Sequence, residues 1–97
     1  MPKMYEWMRV WNTIEREKNV RKLYMNQLLD KVDEALCSYG RDVVSVDYNE
    51  ITGMIDINIC TDRFSDVIFA GVVPYKNVNR TLLIQALDEF GVGYCLG

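Results

Sequence analysis

The sequence predicts an α+β domain in the order α-α-β-β-β-α-β, with a mainly antiparallel sheet of three to four strands and helices packed on one face. Three observations carry this. Apolar residues recur at three- and four-residue steps through the first 39 positions. The period falls to two between residues 42 and 60, and a last helical pattern closes at Gly91 before a short alternating tail. The 97 residues suit one domain over residues 1–97, with a core large enough to need no staples. A hydrophobic content of 49% argues against disorder.

The first helix is expected from Pro2 or Lys3 to Glu17, proline being tolerated in a first turn because its missing N–H leaves no bond unmade. Met4, Trp7, Met8, Trp11 and Ile14 form its apolar stripe, and both tryptophans of the chain fall in it. A second helical pattern uses Val20, Leu23, Tyr24, Leu28, Val32, Ala35, Leu36 and Tyr39. At about 100° per residue its direction is turned by roughly a quarter circle from the first. That slip places a break near Lys18-Asn19, with one long bent helix as the alternative, so residues 1–18 read as a semi-independent docking element. Gly40 supplies the left-handed end of the second helix.

In the strand region Val44, Val46 and Tyr48 share one face, and Ile55, Ile57 and Ile59 alternate with Asp56, Asn58 and Cys60. Asn49-Glu50-Ile51-Thr52-Gly53 is turn chemistry, which makes the two strands a hairpin. A register setting Asp47 against Asp56 would oppose like charges, so the expected register pairs Val46 with Ile55 and Val44 with Ile57. Asp66–Val73 is almost continuously apolar and reads as a central or doubly covered strand that Pro74 ends. Asn77 or Asn79 can cap a third helix whose inner face is Val78, Leu82, Leu83, Ala86, Leu87 and Phe90. Val92–Leu96 reads as a last strand, placed parallel to the third by a crossover.

Composition narrows the function classes. The chain has no histidine, so the usual general base and the commonest transition-metal ligand are missing. No serine, cysteine or lysine stands in a nucleophilic arrangement, and no phosphate-binding loop or cofactor motif is present. The expectation is a protein without catalytic residues, metal or cofactor. Cys37, Cys60 and Cys95 are odd in number and set among apolar neighbours. They read as small buried hydrophobes in a reducing compartment, with Cys60 partly exposed. Val67–Val73, the longest apolar run, is too short to cross a bilayer and no leader pattern precedes the first helix, so a cytoplasmic, soluble protein without membrane contact is expected.

Charge is uneven. Residues 1–31 hold seven Lys/Arg against four Asp/Glu, and residues 32–97 hold four against ten, giving +3 and −6 and the overall −3. Two binding surfaces follow: an apolar one at Trp7, Met8 and Trp11, and an acidic one at Asp56, Asp62 and Asp66 that could imitate nucleic-acid phosphates. Against these stand the plainer readings of a stripe in the domain's own core and a solvated acidic face. The partner expected is another protein, a homodimer through the N-terminal helix being one form of it. In size, charge and architecture the chain is similar to the small acidic inhibitors that phages and mobile elements direct at host enzymes. The rival reading is a small nucleic-acid-binding domain using Arg9, Arg16, Lys18, Arg21 and Lys22. Its outline is similar to double-stranded-RNA-binding domains, but the basic loop and helix-start clusters of such domains are missing, and an acidic chain makes a poor phosphate footprint.

Overall fold

In the computed structural model the backbone is described over residues 2–96 and the side chains over residues 18–96. The elements are α1 (Pro2–Tyr39), β1 (Val44–Asn49), β2 (Met54–Cys60), β3 (Ser65–Pro74), a 3-10 turn over Tyr75–Asn77, α2 (Arg80–Phe90) and β4 (Gly93–Cys95). The strands make one sheet in the order β3-β2-β1-β4. It is mixed: β1–β2 and β2–β3 are antiparallel, and β4 is parallel to β1. The α+β class and the single helix-covered face are as the sequence indicates.

The period-two residues explain which face that is. Val44, Val46, Ile55 and Ile57 point to one side and are buried, and they meet Leu28, Val32 and Ala35 of α1 and Leu83 and Leu87 of α2. Each fully buried leucine or isoleucine contributes roughly 1.5–3 kcal/mol. The other side of the sheet carries Ser45, Asp47, Asn49, Asp56 and Asn58. Both helix ends behave as expected, with left-handed glycines at Gly40 and Gly91, and Asn79 caps α2 by accepting from the Leu82 amide at 3.2 Å.

The expected break at Lys18-Asn19 is absent: α1 is one helix of 38 residues. The apparent phase slip came from reading the helix at 3.6 residues per turn: Met4, Trp7, Trp11, Ile14, Lys18, Arg21, Met25, Leu28, Val32 and Ala35 keep alternating steps of three and four, and such a repeat drifts by about 20° per heptad. Val20, Leu23 and Tyr39, counted on the inner face, are 40%, 55% and 48% exposed.

The hairpin register also differs from the expected one. Val46 pairs with Ile57 and Val44 with Ile59, which sets Asp47 opposite Asp56. The repulsion is offset by amide donors on both strands. Asn58 donates from its side chain to Asp47, Asn49 donates to Asp56 at 3.1 Å, and the Gly71 amide donates to the other Asp56 oxygen at 2.7 Å. Charge-assisted hydrogen bonds of this kind outweigh one partly solvated like-charge contact.

β3 is an edge strand rather than a central one. Ser65–Val67 are exposed, Val67 by 48%. Its register with β2 shifts twice, between Ile55 and Ile57 and again between Ile57 and Asn58. Gly71 sits in the first irregularity at φ 61°, a conformation that L side chains rarely adopt. Such bulges blunt an edge that would otherwise recruit another strand. β4 runs in the same direction as β3, but its neighbour is β1, through Val46 and Tyr94.

Candidate functional site

Trp7, Met8 and Trp11 lie outside the residues whose side chains the structure describes; their backbone belongs to α1. What the structure does establish is where α1 leaves the domain. Leu28, Val32 and Ala35 are fully buried, and Tyr24 and Met25 are packed against the core from its margin. Every residue from Lys18 to Leu23 is exposed, Val20 and Leu23 included. Among its described side chains, α1 is therefore part of the core only from Tyr24 onwards.

The departing helix forms one wall of a groove of about 580 Å³ against α2. Met25, Leu29, Leu82 and Ala86 give it an apolar floor, and Lys18, Arg21 and Lys22 are its charged residues. Leu82, expected on the inner face of α2, is 54% exposed here. Arg9 and Arg16 lie outside the described side chains, so of the basic set only Lys18, Arg21 and Lys22 are placed. A second groove of about 630 Å³ separates α1 from β3. Its lysine is already engaged, with the Lys31 ammonium 3.3 Å from Glu34 and 4.8 Å from the centre of the Phe69 ring.

The three acidic residues do not form one surface. Asp56 is half-buried on the outer face of β2, with one carboxylate oxygen on Asn49 and the other on the Gly71 amide. Asp62 and Asp66 are exposed in and beside the β2–β3 turn, and Asp66 accepts from the neighbouring Val67 amide at 2.9 Å. Asp62 is six residues beyond Asp56, about 20 Å of extended strand. Asp56 is a sheet-organising residue, and Asp62 and Asp66 are the acids presented to solvent.

The cysteines are not buried: Cys37, Cys60 and Cys95 are all free and exposed. Among the described residues no buried side-chain nitrogen or oxygen lacks a hydrogen-bond partner, so no orphaned polar atom marks a ligand pocket. No helix among the described residues is long and apolar enough to cross a membrane.

Two roles were missed in the sequence. Asn49 and Asn58 hold the aspartate pair, and their signal was present in the alternation of Asp and Asn on the polar faces of both strands. The convergence of Lys18, Arg21 and Lys22 on an apolar groove depends on the position of α2, which no local pattern encodes. No protein-family model matches the chain, and neither a curated protein nor a solved structure matches it.

Proposed function

We propose that the protein is a non-enzymatic protein-binding module that docks through the N-terminal half of α1, with Trp7, Met8 and Trp11 as the apolar contact and Asp62 and Asp66 as an acidic surface elsewhere on the domain. The observation that carries this is the loss of burial along α1 towards its N-terminus. Among its described side chains burial begins at Tyr24, and the six before it are all exposed. A tryptophan- and methionine-rich stripe in the turns that precede this exposed stretch has the composition of an interface anchor. Size and acidic balance favour an inhibitor acting on a host enzyme through Asp62 and Asp66, the surface that docking by the helix leaves free.

The test is the Trp7→Ala/Trp11→Ala double variant of the full chain. If the stripe is a docking surface, the variant keeps its far-UV strand signature and a cooperative unfolding transition. A core role predicts loss of about 3–5 kcal/mol for each tryptophan, enough to unfold a domain whose whole stability is about 5–15 kcal/mol. An unfolded double variant overturns the proposal.

The nucleic-acid reading has one observation in its favour, the convergence of Lys18, Arg21 and Lys22 on the groove between α1 and α2. Binding of that kind falls steeply with salt. Retention on heparin that is lost by Lys18→Ala/Arg21→Ala/Lys22→Ala would support it over docking by the stripe.

A further inference from the structure

We infer that the partner of the N-terminal half of α1 is a second copy of this chain, paired antiparallel over residues 2–23. This rests on the docking reading above and names its occupant.

The argument starts from the part of α1 that is packed. Met25, Leu28, Val32 and Ala35 alternate steps of three and four, and the last three are fully buried against the sheet. This is a heptad seam, with Met25 and Val32 in one series and Leu28 and Ala35 in the other. Continued towards the N-terminus without a change of phase, the same two series meet Lys18 and Arg21, and then Met4, Trp7, Trp11 and Ile14. The helix is unbroken across this stretch. One seam thus runs through α1: its C-terminal half is covered by the domain's own sheet, Lys18 and Arg21 cross open solvent, and the first two heptads carry two tryptophans.

Charge then selects the partner's direction. A parallel pair of copies would set Lys18 against Lys18 and Arg21 against Arg21 in adjacent layers of the seam, which is repulsive in a desolvated position. The antiparallel pairing sets Trp11 against Ile14, Lys18 against Trp7 and Arg21 against Met4 of the second copy. Each lysine then lies against an aromatic ring, a cation–π arrangement stronger in a desolvated seam than in water. In this register the pairing ends at residue 23, the last exposed residue before the buried part of α1. The area suffices. Four tryptophans bury about 600–1,000 Å², and Met4, Met8 and Ile14 of both copies bring the total to the ~1,200 Å² at which specific interfaces begin.

The experiment is light scattering coupled to gel filtration, with small-angle X-ray scattering, on the full chain through a dilution series. The expected result is a dimer that dissociates on dilution and whose longest dimension is roughly 100 Å, because two chains of 66 Å overlap over the paired stretch, about 33 Å of helix at 1.5 Å per residue. The single chain measures 66 Å in its longest direction. A dimer no longer than the single chain overturns the antiparallel pairing. A monomer throughout overturns the second copy as occupant, and the docking reading then stands or falls separately on whether Trp7→Ala/Trp11→Ala still folds. In the dimer, that double variant is expected to be monomeric with its sheet intact.

Discussion

Asp47 of β1 stands directly opposite Asp56 of β2, and each carboxylate accepts a hydrogen bond from an asparagine on the other's strand. The four side chains form a crossed arrangement: Asp47 with Asn58, and Asp56 with Asn49. It makes the like-charge pair a register marker. Slipping the hairpin by two residues would separate the aspartates but strand them from these two donors. The expected outcome of Asn58→Ala is a loss of about 1.5–3 kcal/mol, the worth of a hydrogen bond to a charged group. Urea denaturation measures it, and Asp47→Asn in the same background should return part of the loss.

Gly71 is held at φ 61°, and a Cβ there would meet Met54 Cγ at 3.9 Å, an ordinary contact. Gly71→Ala is therefore opposed by backbone conformation and not by space, and should cost about 1–2 kcal/mol. Gly93 has no positive φ, and its Cβ would lie 3.8 Å from that of Ser45. Gly93→Ala should be neutral or stabilising by about 0.4–1 kcal/mol. Thermal melts of the two variants, run side by side, separate the causes.

Burial along α1 can be mapped by truncation. Leu28→Ala removes a fully buried side chain and should cost about 2–5 kcal/mol. Leu23→Ala, on an exposed position outside the seam, should stay within about 0.5 kcal/mol of the parent. Equal losses in chemical denaturation would place the exit of the helix earlier than Tyr24.

With all three cysteines exposed, the native protein should react with a thiol reagent at Cys37, Cys60 and Cys95 without denaturant. Protection of any one of them until unfolding would contradict its position in the fold.

The sequence is most legible where a local pattern has one meaning. The hairpin alternation, the Asn79 cap and the two terminating glycines are of this kind, since each depends on neighbours a few residues away. It misleads where a choice is settled by distant partners. The run from Val67 to Val73 looks central by composition, yet it forms an edge whose two bulges come from its fit to β2. The Asp47–Asp56 contact looks forbidden until the asparagines two positions away on each strand are included. Val20 and Leu23 look like core residues because hydrophobicity alone does not say where a helix ends its association with a sheet. Of the candidate site, Asp62 and Asp66 are exposed, while Asp56 is taken up by the sheet itself. That Lys18 and Arg21 continue the spacing of Met25 and Leu28 is readable only once α1 is known to be continuous.

β1 has one neighbour close in sequence and one far away. β2 returns to it after a short turn, whereas Tyr94 reaches Val46 from about half the chain away. Closing so long a loop is slow relative to forming the β1–β2–β3 meander. In the interval the far side of β1 presents unpaired amides and carbonyls, a template for any extended chain. The yield of refolding is then a race between docking of β4, a three-residue strand whose rate does not depend on concentration, and capture by a neighbouring molecule, whose rate does. Dilution favours the native fold on the way in, while high concentration during refolding diverts the chain into aggregates.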